Sequence, residues 1–144
     1  APLIRNNGES EPFDGVSILV AEDNLVNQFM LSKMLADWKV KVDMVNNGTK
    51  VLDKLKQGNY DLILMDTHMP EMNGYQAAQK IRMEFDEPKR SIPIISLSAA
   101  TFDYEQEDAL ASGMNDVLAK PFVPAQLHEK IRKLLAEQHA KTQA

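Results

Sequence analysis

Four short apolar stretches of this chain each end on a residue that can do chemistry. Leu62-Ile63-Leu64-Met65 runs into Asp66, which opens the phrase Asp66-Thr67-His68-Met69-Pro70-Glu71-Met72-Asn73-Gly74. Ser17-Ile18-Leu19-Val20-Ala21 is followed by Glu22-Asp23, a run over residues 93–98 closes on Ser98, and a last short run precedes Lys120-Pro121. An ionised carboxylate directly after a buried strand is costly to desolvate unless a cation or proton compensates it. Two carboxylates about 4–5 Å apart repel by roughly 3–4 kcal/mol at an effective dielectric near 20, so Glu22, Asp23 and Asp66 in one crevice would conflict. A hard divalent cation resolves the conflict, because Mg2+ takes one or two carboxylates together with waters and phosphate oxygens. Lys120 adds a fixed positive charge, Ser98 a hydroxyl donor, and Ala99 beside it leaves room for an incoming group. These parts suit phosphoryl transfer to a carboxylate. Asp66 would be the nucleophile, giving an acyl phosphate; Mg2+ and Lys120 would neutralise the equatorial oxygens and Ser98 would hydrogen-bond one of them.

The elements that must position these residues can be read from the apolar periodicity. The first strand covers about residues 16–21, and Asn24 caps a helix whose core face reads Val26, Phe29, Met30, Met34 and, at its end, Trp38. The second strand, residues 40–45, alternates apolar with charged residues and so has one wet face, as at a sheet edge. The second helix follows Asn46-Asn47-Gly48, turns Val51, Leu52 and Leu55 inward, and ends at Gly58. The third strand spans residues 61–66; the third helix starts near Asn73-Gly74 and carries Ala78, Ile81 and Phe85 on one stripe. Residues 93–98 are nearly all apolar, as a central parallel strand covered on both faces should be. The fourth helix, about residues 102–112, has only Leu110 and alanines to bury, with Gly113 as its C-cap. A fifth strand at 116–119 leads to a helix that opens at Pro124 and buries Leu127, Ile131, Leu134 and Leu135.

Strands alternating with helices predict an α/β fold, a five-stranded parallel sheet with right-handed crossovers. An edge position for the second strand favours the order 2-1-3-4-5. Ligands of such sheets bind beyond the C-terminal strand ends, at the switch point between strands one and three, where Glu22, Asp23 and Asp66 fall. Residues 1–15 read as a linker or tail, 16–138 as the domain, and 139–144 as a C-terminal tail. With no initiator methionine, the chain is expected to be processed or excised from something longer.

Composition narrows the function classes. At 144 residues, 44% apolar and 26% charged, the chain fits one ordinary domain with a full core. No apolar run approaches the roughly 20 residues that span a membrane, and no signal-peptide pattern opens the sequence. Cysteine is absent, which excludes disulfides and thiolate metal sites and fits a reducing compartment. A net charge of −5 without a dense Lys/Arg stripe argues against direct nucleic-acid binding. His68, His128 and His139 lack ligand spacing and read as ordinary polar positions; His68 stands out only by lying in the Asp66 loop.

From about residue 16 to 138 the chain resembles a response-regulator receiver domain of two-component signalling. The resemblance rests on Glu22-Asp23-Asn24, on Asp66 with Met69-Pro70 and Asn73-Gly74, on Ser98-Ala99, and on Lys120-Pro121-Phe122. Any one of these is weak; together, in order and at full domain spacing, they are specific. The resemblance implies a flavodoxin-like doubly wound (βα)5 fold and a phosphoryl group accepted on Asp66 from a histidine of a sensor histidine kinase or a histidine phosphotransfer protein. It also implies Mg2+ bound by Asp23, Asp66 and the His68 backbone carbonyl, with Glu22 acting through a water, Ser98 as the switch hydroxyl and Lys120 as the phosphate contact. Glu22-Asp23-Asn24 with Asn27-Gln28, and residues 65–74, look most like receivers appended to hybrid sensor kinases. Such a domain is a phospho-switch rather than an enzyme, is cytoplasmic even where its parent is tethered to a membrane, and belongs to a family in which phosphorylation-dependent dimers occur. One departure is Val117, where the family often has an aromatic residue three positions before the lysine, so output through ring rotation is not expected. The side chains of His68 and Ala100 flank the site and in the family tune how long the phosphate lasts.

Three other readings explain less. A flavodoxin-like module for a phosphorylated cofactor needs amides, hydroxyls or glycines after strand one, whereas Glu22-Asp23-Asn24-Leu25 repels phosphate without a metal. An aspartate-nucleophile phosphatase commonly has a second acid two residues after its nucleophile, where this chain has His68. A receiver-like scaffold that has lost signalling would not need acids, lysine and hydroxyl all in place. Taken singly, Glu22 and Asp23 could simply cap a helix. Met69 and Met72 read as packing, and Leu118, Val123 and Leu127 serve either core or partner.

Overall fold

The computed structural model describes residues 11–98 and 103–143. Each strand is followed by a helix that returns across the sheet: β1 (Ser17–Ala21), α1 (Leu25–Asp37), β2 (Lys41–Val45), α2 (Gly48–Gln57), β3 (Leu62–Asp66), α3 (Gly74–Glu84), β4 (Ile94–Ser98), α4 (Asp103–Ala111), β5 (Asp116–Ala119) and α5 (Pro124–Gln143). The strands form one sheet in the order β2-β1-β3-β4-β5, and every neighbouring pair is parallel. The sequence-based order, with β2 at the edge, is therefore the observed one.

Alternation along the central strands divides the core into two layers. Ile18 and Val20 of β1 face the cluster built with Leu31 and Leu35 of α1 and Leu127, Ile131 and Leu134 of α5. Leu19 and Ala21 face the other way, onto Val51, Leu52 and Leu55 of α2 and Ala77, Ala78 and Ile81 of α3. A strand with helices on both faces has no wet side, which is why β3 and β4 are buried along their whole length. Ala21 pairs with Met65 in the β1–β3 register, and Asp66 pairs with Leu97 in β3–β4. The residue after β1 and the last residue of β3 thus reach the same rim of the sheet.

Several sequence-based expectations are corrected by the packing. Of the face expected for α1, Met30, Met34 and the C-cap Trp38 do pack on the core beside Leu31 and Leu35, while Val26 and Phe29 are 66% and 70% exposed. The helix carries overlapping apolar stripes, and a 3.6-residue period cannot say which one meets the sheet. Of the residues α4 was expected to bury, Leu110 faces solvent while Ala109 is buried as expected. Gly58 does end α2, but in extended rather than left-handed backbone. Leu118 and Leu127 are core residues and Val123 is exposed. The helix α5 continues to Gln143, past the boundary drawn at 139. Part of the segment read as a linker is docked: the Phe13 amide donates to the Trp38 carbonyl at 2.7 Å, and its ring stacks on His128 at 4.5 Å between centroids. Ala99, Ala100 and the expected start of the fourth helix at Phe102 lie outside the described residues.

Candidate functional site

The β1 ladder runs one residue beyond the strand, because the Glu22 amide donates to the Val45 carbonyl at 3.0 Å. This pulls Glu22 fully out of solvent, while the next residue, Asp23, is exposed. Asp66 closes β3 and is buried. Its Oδ1 accepts the backbone N–H of His68 at 3.2 Å, so the chain turns back over the carboxylate; the His68 side chain points to solvent. Beyond the turn, Asn73 and Gln76 form a reciprocal capping box that starts α3. Gly74 then lies so close to β3 that a Cβ would sit 2.2 Å from the Asp66 carbonyl oxygen. Only glycine lets the helix start press against that backbone.

The cation arrives from β5. Lys120 is tied to β4 by its amide, which donates to the Ser98 carbonyl at 2.7 Å. Its Nζ lies 3.2 Å from Glu22 Oε1 and 3.4 Å from Asp66 Oδ2. Ser98, buried at the end of β4, sits on the strand next to that of Asp66. Carboxylate oxygens of Glu22, Asp23 and Asp66 all lie within 4.8 Å of one another. The residues expected to act together are thus assembled at the C-terminal rim of one sheet.

Electrostatically the crevice is unfinished. Burial, reinforced by the adjacent Asp66 carboxyl, pushes the Glu22 carboxyl up to about 7, against the opposing pull of Asn27 and Lys120. Asn27 Nδ2 donates to Glu22 Oε1 at 2.5 Å. The second oxygen, Oε2, is buried without any hydrogen-bond partner. A buried acceptor left unpaired beside two more carboxylates fits a hard cation or the water such a cation carries. The donor set, all oxygen, is that of Mg2+ rather than of a softer metal.

Two residues change standing. Buried His128 places Nε2 2.7 Å from the Glu11 carbonyl and packs against Phe13 and Trp38, so it is a structural histidine. Asn27, noted in the sequence only as part of a resemblance, touches the site directly. A signal for it exists: an amide side chain at the third helical position, five residues after a strand-end acid, reaches back over that acid.

Residues 18–132 match the family model described as the response regulator receiver domain. The autoinducer 2 sensor kinase/phosphatase LuxQ of Vibrio vulnificus is 34% identical over 117 residues, covering 81% of this chain and 13% of its own length. Hybrid signal transduction histidine kinase K of Dictyostelium discoideum is 36% identical over 135 residues, 88% of this chain and 11% of its own. The chain therefore spans only about an eighth of these relatives. Among solved structures, the receiver domain of a Pseudomonas aeruginosa PAO1 sensor histidine kinase, with a magnesium ion coordinated in its active site cleft, is 38% identical with a TM-score of 0.78, covering 85% of this chain and 98% of that one. A chain of the Saccharomyces cerevisiae co-crystal of the histidine phosphotransfer protein Ypd1 with the receiver domain of Ssk1 is 30% identical with a TM-score of 0.77, covering 85% and 90%.

Proposed function

The chain belongs to the response regulator receiver family, and on that premise we propose that Asp66 is the phosphoacceptor of a histidine-to-aspartate relay. The observation that carries this reading is the convergence of Asp66, Lys120 and the unpartnered Glu22 oxygen at one rim of the sheet. One Asp66 oxygen is held by the His68 amide and the other faces Lys120, so the carboxylate is oriented before a donor arrives. In the transfer, a P–O bond to Asp66 forms as the P–N bond of the donor phosphohistidine breaks, and the electron pair of that bond returns to the imidazole nitrogen. Mg2+, held by Asp23, Asp66 and the His68 carbonyl and through a water by Glu22, would supply the positive charge that offsets the phosphoryl oxygens. Lys120 moves its charge from the two carboxylates to a phosphoryl oxygen, and the Ser98 hydroxyl donates to another. The product carries about −1.5 to −2 charges, enough to redraw the hydrogen bonds of the rim. The domain acts in this way as a phospho-switch, not as an enzyme with its own turnover.

The donor is a sensor histidine kinase or a histidine phosphotransfer protein. Leu25 is 78% exposed beside Val26 and Phe29, directly after Asp23 and Asn24, and exposed Val123 follows Lys120-Pro121-Phe122. An apolar patch bordering a charged crevice is a docking surface, here for a partner that delivers phosphohistidine to Asp66. The parent of such a domain is a hybrid kinase, in keeping with the relatives, and its setting is cytoplasmic. No helix among the described residues is long and apolar enough to cross a membrane. A dimer formed on phosphorylation belongs to the same reading.

The test is intact-protein mass after incubation with acetyl phosphate, with and without Mg2+, on the parent and on Asp66→Asn. A Mg2+-dependent gain of one phosphoryl group in the parent alone is expected. An equal gain in Asp66→Asn would remove Asp66 as acceptor. If the parent gains nothing from acetyl phosphate and nothing from a phosphohistidine protein, the relay reading fails.

A further inference from the structure

Glu22 is gripped at two points by the first turn of α1. Asn27 Nδ2 donates to its Oε1 at 2.5 Å, and Gln28 Nε2 donates to its backbone carbonyl at 2.6 Å. The gripping residues are themselves fixed: the Asn27 amide donates to Oδ1 of the N-cap Asn24 at 3.0 Å, and the Gln28 amide to the Asn24 carbonyl at 2.9 Å. Cap, helix turn and acid form one closed hydrogen-bonded unit. A glutamate carboxylate turns about a broad, two-fold torsion, so nothing intrinsic to Glu22 decides which oxygen faces the crevice. Both donors to the carboxylate, Asn27 Nδ2 and Lys120 Nζ at 3.2 Å, land on Oε1, and buried Oε2 has none. In the proposed relay Lys120 is also the group that turns to the incoming phosphoryl oxygen. Among the described residues, Asn27 is then the side chain that still holds Oε1.

We propose that Asn27 is a positioning residue for the cation site: by engaging Oε1 it fixes the Glu22 carboxylate and leaves Oε2, which has no partner, as the acceptor for a metal-bound water. This rests on the Mg2+ reading of the same crevice. The amide touches no reacting atom and acts only through Glu22, like the partners that orient metal ligands elsewhere, whose loss typically weakens metal binding 10- to 100-fold. Its backbone bond to Asn24 survives truncation of its side chain, so the start of α1 is retained.

The experiment is the Mg2+ dissociation constant by titration calorimetry, with the Mg2+-induced rise in Tm as a second readout, on the parent, Asn27→Ala, Asn27→Leu, Glu22→Ala and the Asn27→Ala/Glu22→Ala pair. Both Asn27 variants are expected to bind Mg2+ about 10-fold more weakly than the parent. With Glu22 already removed, Asn27→Ala should change binding by less than about twofold, because the residue through which it acts is gone. A parent-like constant in both Asn27 variants overturns the proposal. An equal loss with and without Glu22 also overturns it, since it would mark general damage to the loop. Absence of Mg2+ binding in the parent would instead bring down the metal reading on which the inference stands.

Discussion

Two regions of this molecule draw charge into the fold, and they resolve it in opposite ways. Arg82, on α3, donates from Nε to the Gly113 carbonyl at 2.9 Å, from Nη1 to the Arg90 carbonyl at 2.6 Å and from Nη2 to Asn115 Oδ1 at 3.0 Å. Asn115 Oδ1 also accepts the Ile94 amide at 2.8 Å, so the network ties α3, the start of β4 and the turn before β5 together. Gly113 suits this clamp twice over: its φ is +100°, and a Cβ there would meet Arg82 Cγ at 2.7 Å. At the opposite pole of satisfaction stands Glu22, fully buried with one oxygen unpaired and a second carboxylate pressed against it. A closed network holds the fold. An open one leaves a place for a ligand, at a cost to the empty domain.

The contrast breaks most readily at Arg82. Arg82→Met removes three charge-assisted hydrogen bonds, two of them where water can take over, and should lower stability by about 2 kcal/mol, read by urea denaturation, while the Mg2+ dissociation constant stays within about twofold. A matching loss of Mg2+ affinity would mean that clamp and crevice are one unit rather than two.

Glu22→Gln should do the reverse, raising the stability of the metal-free domain at pH 8 by on the order of 1–2 kcal/mol while weakening Mg2+ binding. The pH dependence gives a sharper form of the same test. Glu22 sits at about 7 in the folded chain against 4.5 for an unperturbed glutamate, so the folded state binds the proton more tightly. Its contribution to stability is complete below about pH 4.5 and is lost as pH rises through about 7. Metal-free melts of the parent should fall across that window, and those of Glu22→Gln should be flatter. Equal slopes would clear Glu22 as the source.

The smallest effect is expected at Asp23. Being exposed, it loses less solvation than Glu22, so Asp23→Asn should raise metal-free stability by less than about 1 kcal/mol yet still weaken Mg2+ binding. Denaturant melts with and without Mg2+ separate the two effects. A gain larger than that of Glu22→Gln would place the main charge conflict at Asp23 instead.

Much of the fold was legible because strand and helix signals here are local. The alternation of β2, the apolar run of β3, the nearly apolar run of β4, and the caps Asn24, Asn47 and Asn73 each report on their own few residues. The α1 face was misread at Val26 and Phe29 but not at Met30, Met34 and Trp38, because Leu25, Val26, Phe29, Met30, Leu31, Met34 and Leu35 satisfy more than one helical stripe. The docking of Phe13 against Trp38 and His128 was invisible for a different reason. It joins Phe13 to a residue 25 positions on and to another more than a hundred positions on, and no periodicity encodes such contacts.

The site shows the same division. Strand ends that carry Glu22-Asp23, Asp66, Ser98 and Lys120 could be placed on one rim from chain order alone, because parallel strands with right-handed crossovers share a C-terminal edge. By itself, then, the sequence determined the fold class, the strand order and the chemical kind of the site. Tertiary structure decided the finer matters: that Glu22 rather than Asp23 is the buried acid, that Lys120 bridges two carboxylates, and that Asn27 claims one oxygen of Glu22 and leaves the other open. Burial and hydrogen-bond partners belong to the packed rim as a whole, where residues from β1, α1, β3 and β5 meet, and no single stretch of chain carries that information.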